Sequence, residues 1–162
     1  TSVHEYPTSE QMSEIAVSAA RVVRLFGFDP KVAFVSHSTF GQPETSRTKH
    51  IKKAVDILKE KNVDFDFDGD MQPDVALNNE YKSLYPFSNI VGNANILIMP
   101  GQHSAAISYK MMKELGDTKV IGPLLIGLGL PIEIAPLRTS TSELINLASI
   151  AAYSADVIDY DK

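Results

Sequence analysis

Hydroxyl side chains and a glycine follow the first apolar run of the chain, residues 31–36. Ser38, Thr39 and Gly41 lie in this short loop, ahead of a stretch rich in Lys and Arg. Hydroxyls and backbone N–H groups at the carboxyl end of a buried strand are groups that hold phosphate. The same residues also form ordinary turns, because Ser and Thr side chains hydrogen-bond to nearby backbone. The loop is therefore either a phosphate cradle or a Ser/Thr-rich turn.

Basic side chains are concentrated after this loop on an otherwise acidic chain. They are Arg47, Lys49, His50, Lys52 and Lys53. A local excess of positive charge attracts phosphate groups, which makes the patch a candidate for nucleotide binding. A solvent-exposed helix face is the alternative, since Asp56 and Glu60 are placed to pair with Lys52 and Lys53 at helical spacing.

Acidic residues and histidines offer two further kinds of chemistry. Asp68, Asp70 and Asp74 lie close together, but their spacing does not fit the D-x-D-x-D-G loop and distal glutamate of an EF-hand. We therefore predict no metal site. His37 and His103 each follow an apolar run and are candidates for acid–base chemistry. Because neither has an identified partner, neither is predicted to be catalytic.

Apolar runs alternate with amphipathic stretches, which are the elements that must position these residues. Strands are predicted at residues 31–36, 63–67, 95–99 and 132–135. Helices are predicted after a capping box of Thr8 and Gln11, around residues 51–58, at 104–115, and after a capping box of Ser140 and Glu143, with Pro73 opening a short helix. Strands that alternate with helices imply a parallel sheet. We predict a three-layer α/β/α fold with a mainly parallel sheet.

The composition is that of a folded, mildly acidic globular domain. The 162 residues are 44% apolar and 22% charged, with a formal net charge of -5. This charge argues against a general nucleic-acid partner. The absence of Cys excludes disulfide frameworks, cysteine zinc sites and thiol nucleophiles, and it fits a cytoplasmic location. The longest apolar stretch, residues 120–132, is interrupted by Gly and Pro and is shorter than the ~20 residues of a membrane span. We expect no membrane partner.

Four blocks of the sequence resemble the phosphate acetyltransferase (phosphotransacetylase) family. The blocks are residues 32–41 (VAFVSHSTFG), 68–76 (DGDMQPDVA), 92–100 (GNANILIMP) and 121–127 (IGPLLIG). Taken together, in this order and spacing, they are specific, and the resemblance covers nearly the whole chain. It implies an isocitrate/isopropylmalate dehydrogenase-like architecture. It corresponds to the later part of a complete phosphotransacetylase, whose active cleft lies between two α/β domains.

The chain departs from the family at the residues that matter for catalysis. Phosphotransacetylases that transfer acetyl carry Ser-Arg-Gly before the last helix, where the arginine binds phosphate and the serine helps to hold the transition state. The resemblance aligns this triplet with Pro136, Leu137 and Arg138. The acid proposed in the family to take the thiol proton of coenzyme A is Glu143 here, although a capping box with Ser140 also explains that carboxylate. Arg138 and Glu143 are the remaining catalytic candidates, and we predict no acetyl transfer.

A phosphotransacetylase-like region without this pair is similar to the C-terminal domain of the large hybrid bacterial malic enzymes. The resemblance implies a regulatory and oligomerising domain, with acetyl-CoA or CoA as an effector that inhibits the oxidative decarboxylation of malate to pyruvate. It also implies that NADP and a divalent metal bind in the missing part of a longer chain, and that residues 1–162 form one domain without a cofactor of their own. The residues expected to bind acetyl-CoA are Ser38, Thr39, Gly41, Arg47, Lys49 and Ser104.

Two other functions stay open, namely a fragment of an active phosphate acetyltransferase and an assembly domain without a ligand. A start at Thr1 rather than Met is expected of a processed chain or of a piece of a longer one. Apolar surface predicts a homo-oligomer in every case. That surface consists of residues 120–132 and of Leu144, Ile145, Leu147 and Ile150 on the last helix.

Overall fold

The computed structural model of the chain describes residues 4–116 and 119–157. The elements, in chain order, are α1 (Ser9–Leu25), β1 (Lys31–Val35), α2 (Ser46–Glu60), β2 (Asp66–Met71), α3 (Pro73–Leu77), α4 (Asn79–Lys82), β3 (Ile96–Ile98), α5 (Gln102–Leu115) and α6 (Thr141–Val157). The Cα positions group into two compact units, Thr1–Ile107 and Ser108–Lys162, and the boundary falls inside α5. That residues 1–162 form one domain stays a prediction.

The first unit contains a three-stranded parallel sheet in the order β2-β1-β3. This sheet confirms the predicted α/β fold, and β1 and β3 lie inside the apolar runs from which they were predicted. β2 begins later than the predicted run 63–67 and continues through Met71. Asp68 and Asp70, which lie beyond the end of the predicted strand, therefore belong to β2. Hydropathy missed them because both are buried strand residues whose carboxylates accept neighbouring N–H groups.

A bulge interrupts the ladder between β1 and β2. Phe34 pairs with Gly69 and Val35 pairs with Met71, which leaves Asp70 as the extra residue on β2. Gly69 is needed at this position because its φ is +153° and a Cβ atom would lie 2.7 Å from the Cβ of Phe34. Bulges of this kind redirect side chains at the end of a strand. Asp70 is thereby released from the ladder to bond elsewhere.

Helices cover both faces of the sheet. On one face, α1 and α2 pack against Val32 and Phe34 of β1. On the other face, Val75 of α3 packs with Ala33 and Met71. Alternate strand residues point to opposite faces, so a strand with apolar residues in succession is covered on both sides. The first unit therefore has the predicted order of helix, sheet and helix layers.

The helix starts agree with the predicted capping signals. At α1, the Thr8 side chain accepts from the Gln11 N–H, and the Gln11 side chain accepts from the Thr8 N–H. Ser140 and Glu143 form the same reciprocal pair before α6. Pro73 is the first residue of α3. None of the described helices has the length and hydropathy that crossing a bilayer would require.

The second unit contains α6 and, among its described residues, no strand of a sheet. Residues 132–135, predicted as a fourth strand, form only an isolated antiparallel bridge between Glu133 and Leu124, so that prediction is wrong. Pro131 and Pro136 flank the segment, and proline has no N–H to donate to a ladder. An apolar run alone could not reveal that this segment has no partner strand among the described residues.

Apolar side chains of the second unit are largely exposed. On α6, Leu147 is buried, whereas Leu144 and Ile145 are exposed. The segment before α6 adds Ile121, Ile126, Leu128, Leu130, Ile132, Ile134 and Leu137. Runs of exposed apolar side chains are typical of surfaces that another polypeptide covers.

Candidate functional site

The loop after β1, residues 36–45, is held by the bulge residue Asp70. The Asp70 carboxylate accepts hydrogen bonds from the Ser38 hydroxyl and, at 3.0 Å, from the Gly41 N–H. The Asp70 carbonyl oxygen accepts from the Phe40 N–H at 2.6 Å. Asp70 is buried, so these donors replace the water that its charge would otherwise need.

Two bonds from Gln72 attach the same loop to the end of β2. The Gln72 N–H donates to Thr39 Oγ1 at 3.2 Å, and the Gln72 side-chain amide donates to the His37 carbonyl at 2.9 Å. The predicted ligand residues Ser38, Thr39 and Gly41 thus lie together in one ordered loop. Both hydroxyl side chains are buried and form hydrogen bonds within the chain.

A cavity of about 580 Å³ lies beside the first residues of α2 and α5. We call it the His50 cavity. Its lining residues are Tyr6, Pro7, Ser46, Arg47, His50, Ile51, Pro100, Gly101, His103 and Ser104. Two of the six predicted ligand residues, Arg47 and Ser104, therefore line one cavity. Volumes of several hundred Å³ are those in which proteins bind small molecules.

His50 and His103 both contact the segment that precedes α1. His50 Nε2 lies 2.9 Å from the Pro7 carbonyl oxygen, which can only accept, so this nitrogen carries the hydrogen. His103 Nε2 lies 3.9 Å from a Glu5 carboxylate oxygen, and the Glu5 carbonyl accepts the Gln102 N–H at 3.0 Å. These contacts attach residues 5–7 to one edge of the His50 cavity.

A second cavity, of about 540 Å³, lies between α2 and the end of β2. We call it the Phe87 cavity. Its lining residues are Phe40, Gly41, Gln42, Glu44, Thr48, Lys49, Lys52, Val55, Asp56, Lys59, Asp68, Gly69, Asp70, Phe87 and Asn89. Two other predicted ligand residues, Gly41 and Lys49, belong to this set. The six predicted residues are therefore divided between the ordered loop and two cavities in the first unit.

The basic patch lies on α2, and most of its lysines form exposed ion pairs. These are Lys49–Glu44 (3.6 Å) and Lys53–Glu10 (2.8 Å). Lys59, which lies beyond the patch on the same helix, pairs with Asp56 (3.4 Å). The expected pairing of Lys52 with Asp56 and of Lys53 with Glu60 is not formed. Lys52 has no ion-pair partner within residues 4–116 and 119–157.

The two catalytic candidates line a small cavity of the second unit. This cavity has a volume of about 70 Å³. It is lined by Tyr109, Lys113, Val120, Ile121, Gly122, Pro136, Arg138, Thr139, Glu143, Asn146 and Leu147. Arg138 and Glu143 are thus brought together, whereas the Leu137 side chain is fully exposed and is not part of the lining.

The Glu143 carboxylate is already hydrogen-bonded by its own helix start. One oxygen accepts from the Ser140 N–H at 2.7 Å and from the Ser140 hydroxyl at 2.8 Å. These bonds lower the pKa of Glu143, with the backbone N–H as the largest cause, and the Lys113 ammonium at 3.8 Å adds a smaller attraction. A carboxylate with a lowered pKa is a weaker proton acceptor.

Comparison with known protein families identifies the family to which this architecture belongs. The family model described as "Phosphate acetyl/butaryl transferase" matches residues 1–152. The chain belongs to the phosphate acetyltransferase family. Its fold agrees with that assignment, because a phosphotransacetylase from Streptococcus pyogenes superimposes with a TM-score of 0.91 and 33% identity, over 96% of this chain and 47% of that one.

Curated members and relatives of the phosphate acetyltransferase family differ in length. An NADP-dependent malic enzyme of Rhizobium meliloti is 48% identical over 96% of this chain and 20% of its own length. A phosphate acetyltransferase of Clostridium acetobutylicum is 34% identical over 94% of this chain and 46% of its own length. The chain therefore spans about a fifth of the malic enzymes and under half of the acetyltransferases that it matches.

Sequence reasoning missed two residues of these sites. The sequence offers Asp70 only as a candidate metal ligand, and no three His, Asp or Glu side chains among the described residues are placed to hold a metal ion. Its role as the anchor of the loop depends on a bulge, which has no hydropathy signal. The sequence contains no signal for Phe87, because an aromatic residue between Pro86 and Ser88 has no periodic pattern around it.

Proposed function

We propose that this chain is the C-terminal, phosphotransacetylase-like region of a cytoplasmic NADP-dependent malic enzyme, where it binds acetyl-CoA or CoA as an effector and does not transfer acetyl. The 48% identity to the Rhizobium meliloti malic enzyme, against 34% to the Clostridium acetobutylicum acetyltransferase, supports the parent enzyme. In this proposal malate, NADP and a divalent metal bind in the rest of the parent chain. Acetyl-CoA binding here inhibits the oxidative decarboxylation of malate to pyruvate.

The observation that carries the lack of catalysis is the small cavity before α6. Pro136 and Leu137 have no side-chain donor for a phosphate or for a developing oxyanion, a loss that costs transition-state stabilisation of several kcal/mol. Glu143 is bonded by Ser140 and is a weak base for a thiol. A volume of about 70 Å³ is also far below that of an ordinary small-molecule site.

Acetyl-CoA binding is supported by the chemistry at the carboxyl edge of the sheet. Arg47 and Lys49 provide cations for phosphate groups, one in the His50 cavity and the other in the Phe87 cavity. Ser104 offers a hydroxyl in the first of these cavities. Ser38, Thr39 and Gly41 act mainly by ordering the loop, because their polar groups are bonded to residues 70–72.

Calorimetric titration of this 162-residue protein with acetyl-CoA, CoA and acetyl phosphate tests the proposal. We expect acetyl-CoA to bind, and the Thr39→Ala variant to bind it more weakly because the loop loses one of its two bonds to Gln72. No phosphate-dependent release of CoA from acetyl-CoA should exceed the uncatalysed rate. Undiminished acetyl-CoA affinity in Thr39→Ala would place the site elsewhere, and absence of any acetyl-CoA binding would contradict the effector role.

Acetyl transfer is the second candidate, because Arg138 and Glu143 line the same cavity. Phosphate-dependent CoA release that is lost in Arg138→Ala would establish this function and reject the regulatory one. An assembly domain without a ligand is the third candidate, and it is supported by the exposed apolar surface of the second unit. Self-association without any acetyl-CoA binding would favour it.

A further inference from the structure

The Phe87 cavity combines an exposed aromatic ring with a set of lysines. Phe87 is 64% exposed, and its ring centroid lies 4.8 Å from that of Phe40 in an edge-to-face arrangement. Lys49, Lys52 and Lys59 of α2 belong to the same lining. An exposed aromatic ring offers a stacking surface to a flat ligand, and ammonium groups attract phosphate.

The aromatic side of the Phe87 cavity is held in place by the loop that carries it. The Asn89 N–H donates to the buried Asp68 carboxylate at 2.7 Å. At the other end of the loop, the ammonium of the buried Lys82, the last residue of α4, donates to the Gly92 carbonyl. Phe87 contacts Tyr85 as well as Phe40, and the ring centroids of Phe87 and Tyr85 lie 6.1 Å apart. These hydrogen bonds and ring contacts hold the loop that carries the Phe87 ring.

The cationic side of the Phe87 cavity is available to an incoming anion. Lys49 pairs with Glu44, and Lys59 pairs with Asp56. All four side chains are exposed, and ion pairs between exposed side chains are weak in water. Lys52 forms no ion pair with the described residues. The carboxylates of Asp68 and Asp70 lie at the strand end of the cavity. Their negative charge disfavours a phosphate at that end, whereas they can accept hydrogen bonds from the N–H groups of a base.

We propose that the Phe87 cavity is a site for an adenosine phosphate, with the base against Phe87 and a phosphate at Lys52. The inference rests on the proposed function to the extent that the natural ligand is the nucleotide end of acetyl-CoA. The volume of about 540 Å³ lies within the range of nucleotide-sized sites. A base and an anion in one molecule match a cavity that offers an aromatic ring and lysines together.

The test uses adenosine 3′,5′-bisphosphate, which reproduces the nucleotide end of acetyl-CoA, titrated calorimetrically into the 162-residue protein. We expect it to bind, and Phe87→Ala and Lys52→Ala each to weaken it about tenfold, since loss of one stacked base or one charged contact has effects of this order. Both side chains are exposed, so both variants should fold, as circular dichroism will verify.

Matched controls lie beside each substituted residue. Leu84 is 71% exposed in the same loop as Phe87 and does not line the cavity. Lys53 follows Lys52 on α2, pairs with Glu10 and does not line the cavity. Leu84→Ala and Lys53→Ala should leave the affinity for the bisphosphate within about twofold of the original, since neither removes a contact with the ligand.

The outcomes separate this inference from the proposed function. No binding of the bisphosphate, or equal weakening in the controls, overturns the nucleotide site. Acetyl-CoA that binds equally well to the original protein, Phe87→Ala and Lys52→Ala also overturns it, while the effector role stands. Bisphosphate binding that both variants weaken, without any binding of acetyl-CoA, supports the nucleotide site and rejects the effector role.

Discussion

The backbone at Gly69 leaves no room for a side chain. A Cβ there would lie 2.7 Å from Phe34 Cβ and 2.8 Å from the Phe34 carbonyl oxygen, at a φ of +153°. We expect Gly69→Ala to lower the free energy of unfolding by about 3 kcal/mol, from combined overpacking and backbone strain. Urea unfolding measures this effect.

Gly27 is the control, because it has a positive φ of +81° but nothing within 4 Å of the added Cβ. Gly27→Ala should cost about 1 kcal/mol from backbone strain alone. Equal losses of unfolding free energy in the two variants would show that contact between the added Cβ and Phe34 does not contribute to the effect of Gly69→Ala.

The pKa of Glu143 is lowered mainly by one neighbouring residue, Ser140. Both the N–H and the hydroxyl of Ser140 donate to its carboxylate. Ser140→Ala removes the hydroxyl, so the pKa of Glu143 should rise toward its ordinary value of 4.5 while the N–H contribution remains. Carbon-13 NMR titration of the carboxyl group measures the change. Ser149→Ala is the control, because the Ser149 hydroxyl lies on the same helix and donates to the Ile145 carbonyl. A pKa of Glu143 that does not move in Ser140→Ala would contradict the assigned cause.

At the scale of elements, α1 and α2 are joined at the surface by Glu10 and Lys53. The Lys53 ammonium donates to the Glu10 carboxylate at 2.8 Å, and this bond is the largest cause of the lowering of the pKa of Glu10 from 4.5 to about 2; bonds from the helix start, including the Thr8 side chain, add to it. A lowered pKa in the folded state stabilises the protein above pH 4.5, and this contribution is lost as the pH falls from 4.5 toward 2.

Glu10→Gln should therefore be less stable than the original protein near pH 6, and the difference in unfolding free energy should vanish on acidification. Urea unfolding at several pH values measures it. Glu14→Gln changes an exposed carboxylate of the same helix that has no ion pair in the described part of the chain, and it should show no such trend. A difference that persists at pH 2 would rule out the ion pair as its origin.

The strands that could be predicted are those with apolar residues on both faces. Residues 32–35 of β1 are buried in succession, and their run of Val, Ala, Phe and Val reads directly as a covered strand. β2 could not be delimited, because buried Asp68 and Asp70 resemble loop residues until their hydrogen-bond partners are known. The false strand at 132–135 had the right hydropathy, but among the described residues it pairs only at the isolated bridge between Glu133 and Leu124.

The part of the candidate site that could be predicted is its position at the carboxyl edge of the sheet. Residues after β1 and β3 had to lie at one edge, because the carboxyl ends of parallel strands are on the same side. Which cavity each residue reaches depends on helix positions. Arg47 and Lys49 are two positions apart on α2, about 200° around a helix, and they line different cavities.

At the scale of the whole molecule, the exposed apolar side chains of the second unit predict self-association. Light scattering at tens of micromolar should give a mass above that of a monomer. Ile145, which is exposed on α6, provides the test, since a charge placed in an apolar interface is costly. Ile145→Glu should weaken association at least tenfold, whereas Ser142→Glu should not. A monomer in the original protein would reject the prediction.

The loop anchored by Asp70 has a kinetic consequence. Because Ser38, Phe40 and Gly41 are already bonded to Asp70, a ligand meets an ordered surface and does not wait for the loop to form. Association should therefore proceed in one phase at about 10⁵–10⁷ M⁻¹s⁻¹, with differences between ligands residing in how fast they leave. Substitution of Ser38 or Asp70 would add a slow ordering step, visible in stopped-flow traces as a second phase whose rate does not depend on ligand concentration.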